Sequence, residues 1–162
     1  MEEIRLKESN VLKFGIKDAN GEDTGNYLEF DLEDIELPLR YQELIEEDKK
    51  NRAYLKNQFT IIDRRQDHKG KKLLSANEEE KIKVLNVFYK KQEQIYDMFL
   101  GEGGVKKILN GRRLGLSTFD EIDEIIEKYI TPKLKVNADE IKKKIMNKYS
   151  KGKEEGLIDE ET

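Results

Sequence analysis

The chain has 162 residues, with 31 Lys and Arg against 35 Asp and Glu, for a formal net charge of −4; this is enough for one domain around a single core. Charged residues make up 41% of it, against roughly 25% in an average globular protein, so the surface has to be ionic, and the acidic balance argues against a general nucleic-acid binder, which needs a net basic face. The absence of a long apolar run and the start Met1-Glu2-Glu3 predict neither a membrane span nor a secretion signal, while the lack of cysteine and the single His68 remove disulfides, thiol nucleophiles and His- or Cys-ligated zinc.

The first expected unit is a β-hairpin over 1–34, packed on the rest. Val11, Leu12, Phe14 and Ile16 form one apolar segment, and Tyr27, Leu28, Phe30 and Leu32 a second that alternates with period two. The turn formers of 18–26 lie between them. A helical domain is expected over 35–149, which makes the fold mainly α (α+β), with a hairpin followed by four to five helices.

Its first helix opens at about Glu36, with Pro38 tolerated in the first turn. Tyr41, Leu44, Leu55, Phe59 and Ile62 share one face at about 100° per residue. Asp48, Asn51 and Arg52 interrupt that stripe, so the middle of the helix is expected to be exposed or to meet a polar contact, with Asp48 and Arg52 paired at i,i+4 spacing. The basic stretch Arg64 to Lys72 reads as a loop. Ser75-Ala76-Asn77-Glu78 has the S-x-x-E form of a capping box. It opens a helix with Ile82, Leu85, Phe88, Tyr89, Ile95, Tyr96 and Phe99 on one face, ending at Leu100 before Gly101, Gly103 and Gly104.

A short helix follows over Val105 to Asn110. Ser117 is expected to cap a helix bearing Phe119, Ile122, Ile125, Ile126, Tyr129 and Ile130, which Pro132 should end. Asn137 is expected to cap one more helix, carrying Ile141, Ile145, Met146 and Tyr149. Residues 150–162, mostly charge and glycine, read as a mobile tail.

No pattern points to catalysis. The carboxylate runs Glu46-Glu47-Asp48 and Glu78-Glu79-Glu80 fit solvated helix faces and helix starts, and nothing marks a perturbed acid and base pair. Asp18-Ala19-Asn20-Gly21 misses the glycine position of a calcium loop. Gly101-Glu102-Gly103-Gly104-Val105-Lys106-Lys107 could offer backbone donors to an anion, but it lacks the Walker spacing and a leading strand, so it reads as a helix connector. Neither a cofactor nor a metal is expected. The helix Ile82 to Phe99 is apolar over more than half its circumference, which indicates burial on two sides or a partner surface.

Ile95-Tyr96-Asp97-Met98-Phe99-Leu100-Gly101-Glu102-Gly103, then Val105-Lys106-Lys107-Ile108-Leu109-Asn110-Gly111-Arg112, then a polar-capped helix with Phe119, Ile122 and Ile126, resembles the tail assembly chaperones of long-tailed bacteriophages and prophages of Gram-positive bacteria. The similarity spans roughly 81–149. Leu100 stands where that turn commonly has phenylalanine, Gly104 where a small hydroxyl residue or alanine is usual, and Asn110-Gly111 replaces a double glycine.

The resemblance implies a protein that is not an enzyme, needs no cofactor and self-associates in the host bacterial cytoplasm. It would coat the tape measure protein until the tail tube polymerises, and be absent from the mature virion. A longer product made by frameshifting would recruit the tail tube protein. On this reading Phe88, Tyr96, Phe99, Phe119, Ile122 and Ile126 are candidate partner-binding residues, with the core as the alternative that the sequence does not separate, and Gly101, Glu102 and Gly103 the connector turn. The alternative is a small helical regulatory adaptor that binds a protein partner, or RNA through the loop from Arg64 to Lys72.

Overall fold

The computed structural model describes residues 1–6 and 10–150. The charged tail expected over 150–162 therefore lies, from residue 151 on, outside the described residues. Strands β1 (Val11–Lys17) and β2 (Asp23–Asp31) form the expected antiparallel hairpin, with Leu12 opposite Phe30 and Phe14 opposite Leu28. Period-two alternation turns Leu12, Phe14 and Ile16 inward and Val11, Lys13 and Lys17 outward. The ladder is irregular between Gly15 and Lys17, where the Thr24 hydroxyl donates to the Ile16 carbonyl at 2.7 Å. Asp18 closes the turn by accepting from the Asn20 and Glu22 amides, each at 2.9 Å.

Five α-helical segments follow: α1 (Leu37–Asp63), α2 (Ala76–Leu100), α3 (Gly104–Leu109), α4 (Thr118–Ile125) and α5 (Thr131–Ile145). Helices α1 and α2 run side by side as a long helical hairpin. Their hairpin-proximal ends join Leu28 and Phe30 of β2, Val105, Ile108 and Leu109 of α3, and the α4–α5 run in one core. Among the described residues no helix is long and apolar enough to cross a membrane.

Two expectations for the C-terminal half are overturned. Pro132 does not end a helix: α4 passes through a π-helical turn, Ile126–Ile130, directly into α5. In that turn the Thr131 amide donates to the Ile126 carbonyl, five residues back rather than four. The widened turn brings the chain to a residue without an N–H, and burial of Ile130 and Leu134 on either side of the proline keeps the helix going. Nor is Asn137 a cap. It lies inside α5, 1% exposed, and its Nδ2 donates to the Leu32 carbonyl at the end of the hairpin. Its Oδ1 has no protein partner among the described residues. Past it, Ile145, Met146 and Tyr149 are exposed, although the sequence pattern places them on an apolar face.

Candidate functional site

The α2–α3 connector is built by backbone demand. The Gly101 and Gly103 φ angles are 99° and 68°, in the region that side chains with a Cβ disfavour. Asp97 reaches over the turn, and its carboxylate accepts from the Val105 amide at 2.9 Å. The Val105 amide at the start of α3, a donor an anion would need, is thus satisfied by the chain's own carboxylate, as suits a connector. Glu102 is exposed. Gly104 is buried, and a Cβ there would lie 2.6 Å from the Leu100 Cβ, which explains why this chain has glycine where alanine would otherwise fit.

All six candidate partner-binding residues are buried. Phe88, Tyr96, Phe99, Phe119, Ile122 and Ile126 are each at most 5% exposed. Phe99 packs between Phe30 and Tyr41, with centroids 5.6 Å from each. Phe119 lies 5.0 Å from Tyr96 and stacks on Tyr89 at 5.9 Å. In this conformation they are core, because the width of the α2 apolar face is used up by α1 on one side and α4 on the other. Ser117 also departs from expectation. Its backbone is helical and its hydroxyl makes no cap bond, whereas the Thr118 hydroxyl accepts from the Gly115 amide at 2.7 Å.

The interruption of the α1 stripe becomes a buried polar layer. Asn51 Nδ2 donates to the Phe88 carbonyl at 3.1 Å and to Gln92 Oε1 at 2.9 Å. Gln92, fully buried, donates from Nε2 to Asp48 Oδ1 at 2.6 Å. Arg52 Nε contacts both Asp48 oxygens at 3.0 Å, the expected i,i+4 pair. Gln92 lies one helical turn from both Phe88 and Tyr96, so its polar position within the α2 stripe is the signal that matches Asn51 on α1.

Next to this layer the Tyr96 hydroxyl donates to Asp123 of α4. Burial, aided by the neighbouring Asp48 charge, raises the Asp123 carboxyl above its ordinary value, although the tyrosine hydrogen bond acts the other way. Burial and the carboxylate also push the Tyr96 phenol up. Burial pulls the Arg52 guanidinium down, but its bonds to Asp48 outweigh that and the net shift is upward.

Beyond the polar layer α1 and α2 continue as a two-helix arm. Leu55, Phe59, Ile62, Val84 and Leu85 are wholly or partly buried along the arm, yet lie outside the main apolar cluster. Its outer surface carries Tyr54, Ile82 and Val87 at 45%, 50% and 54% exposure. Tyr54 and Val87 flank a shallow depression of about 330 Å³, edged by Glu47, Lys50 and Lys91. At its tip the basic loop is exposed from Arg64 to Lys72 and held by local bonds: Asp67 accepts from the Asn77 amide at 3.0 Å, and the Ser75–Glu78 capping box forms as expected.

Among the described residues no group of His, Cys, Asp and Glu is arranged to hold a metal ion. Comparison with family models, with curated proteins and with solved structures gave no match.

Proposed function

We propose that the chain is a tail assembly chaperone of a long-tailed phage or prophage, which binds the tape measure protein and keeps it soluble before the tail tube polymerises around it. The observation that carries the reading is the two-helix arm: half of each long helix extends past the core and presents Tyr54 and Val87 to solvent on either side of one depression. A helical client docks on such a surface by laying apolar residues at i, i+3, i+4 and i+7 into the groove between two helices. An exterior that is 41% charged by composition keeps the coated complex soluble. The client surface in this reading is the arm, in place of the buried aromatics.

Co-expression with a tape measure protein, the long helical chain that this reading expects to be encoded nearby, tests it. The unaltered chain is expected to recover that protein in the soluble fraction at physiological salt. The variant Tyr54→Lys/Val87→Lys, which keeps its own fold by circular dichroism, is expected to leave the client in the pellet. Recovery of no such client by the unaltered protein would sink the proposal.

A further inference from the structure

We propose that the tip of the arm, the turn from Arg64 to Leu74 that joins α1 to α2, is a docking site for a short acidic segment of a partner protein, in which aspartates and glutamates flank an apolar residue. Within 64–72 five cations, Arg64, Arg65, Lys69, Lys71 and Lys72, stand against the single carboxylate of Asp67, on a chain whose net charge is −4, so the rest of the chain is more acidic still.

The carboxylates of the tip and of its flanking helix turns are engaged elsewhere. Asp63 pairs with Lys81. Asp67 accepts from the His68 amide at 2.8 Å and the Asn77 amide at 3.0 Å. Glu78 accepts from the Ser75 amide at 3.1 Å in the capping box, and Glu79 and Glu80 contact Lys83 at 3.7 and 3.5 Å. Among the described residues none of the five cations has a carboxylate within 4 Å. The backbone that carries them is nevertheless fixed. Asn77 Nδ2 donates to the Ile62 carbonyl at 3.2 Å and to the Arg65 carbonyl at 3.0 Å, and the Ala76 amide donates to the His68 carbonyl at 2.8 Å. Binding an anion on a turn that is already ordered costs less chain entropy than binding it on a free basic tail.

Charge alone would accept any polyanion, and the apolar residues of the tip select the acidic peptide over nucleic acid. Leu73 follows the last two lysines and is 91% exposed. The residues on either side of it contribute to a depression of about 300 Å³ lined by His68, Lys71, Lys72, Leu74, Ala76 and Glu79. An apolar side chain set between acidic ones would fill the depression and bring its neighbours to the lysines, whereas a phosphate backbone has nothing to place against leucine. Nor does 64–74 hold an aromatic ring on which bases could stack. This inference does not rest on the chaperone reading, since the client there lies on the side of the arm at Tyr54 and Val87, which a partner at the tip leaves free.

Fluorescence anisotropy of the full chain with three labelled probes tests it: a short peptide of aspartate and glutamate around a central leucine pair, the same peptide with serine for leucine, and a single-stranded oligouridine. The leucine peptide is expected to bind more tightly than the other two, and to weaken as salt rises. Lys71→Glu/Lys72→Glu is expected to weaken it about tenfold. Lys133→Glu/Lys135→Glu, which makes the same change of net charge on α5, away from the arm, should leave it within about twofold. Leu73→Ser is expected to cut the preference for the leucine peptide over the serine one. All the substituted side chains are exposed, and circular dichroism checks that each variant keeps the parent fold. The proposal is overturned if the leucine peptide does not bind, if the two charge-reversed pairs weaken it alike, or if Leu73→Ser leaves the preference unchanged. Tighter binding of oligouridine, lost in Lys71→Glu/Lys72→Glu, would overturn it in favour of nucleic acid.

Discussion

Asp123 and Gly104 show how single side chains set the tolerances of this fold. The native Asp123 carboxyl titrates above its ordinary value of 3.8. Between that value and the raised one the folded chain holds a proton that the unfolded chain lacks, so the strain of burying the charge is relieved as the pH falls through this window. Asp34 is lowered chiefly by the hydrogen bond from Arg40, Asp67 by the Asn77 amide and Glu78 by the Ser75 amide. These three contribute stability that is lost as the pH falls through their own values, the opposite sign. Asp123→Asn, which keeps an acceptor for the Tyr96 hydroxyl, is therefore expected to be at least as stable as the parent at neutral pH. It should also lose the parent's relief as the pH falls toward the ordinary carboxylate value, as read by a series of urea unfolding curves from neutral to acid pH. At Gly104 an added methyl meets a Cβ fixed to the α2 backbone, with no flexible end to give way. Gly104→Ala is expected to destabilise by about 1–3 kcal/mol, the usual range for overpacking, seen as a lowered denaturant midpoint with an unchanged slope.

The polar layer between α1 and α2 acts at the level of the element. Sliding either helix by a turn would break the Asn51–Gln92–Asp48 chain, so the layer specifies register where apolar contacts alone would tolerate slippage. Asn51→Ala leaves the buried Gln92 Oε1 without its donor and removes the second bond to the Phe88 carbonyl, which keeps its helical partner, and is expected to cost about 1–3 kcal/mol. Asn51→Leu/Gln92→Leu is expected to recover most of that stability while weakening register, which a double-mutant cycle together with broadened amide resonances in α1 would reveal. Elements whose ends are decided within a few residues were legible in advance: the capping box at Ser75, the glycine turn after Leu100 and the alternation of the hairpin. Pro132 and Asn137 carry equally clear local signals, and both mislead. The gain from burying Ile130, Leu134 and the Asn137 amide against the hairpin outweighs a proline's local preference, and that gain depends on residues a hundred positions away. The six aromatic and aliphatic candidates stay open between core and contact in the sequence for a related reason: a wide apolar face looks the same whether its second side meets a client or α4.

At the scale of the molecule, the polar layer divides the structure into a core braced by every element and an arm braced by two. The core half of α2 packs on α1, α3, α4 and the hairpin, and carries Ile95, Tyr96, Phe99 and Leu100 in one cluster. Apart from Tyr89, which reaches Phe119 of α4, the arm half has only α1 as a partner among the described residues, with Ile62 and Phe88 as its buried apolar residues. Local opening free energy follows the buried contacts an opening must break, so the arm should open without the core. Hydrogen exchange is then expected to show two tiers in each long helix, with amides of 53–62 and 77–87 exchanging well before those of 92–100, and the step falling at Asn51 and Gln92. Uniform protection along α2 would mean that the layer couples the halves and does not divide them. A client that lies on Tyr54 and Val87 supplies the missing third partner, so its binding should raise protection in the arm tier and leave the core tier unchanged. One exchange experiment with and without client thus locates the client's surface by the tier it protects.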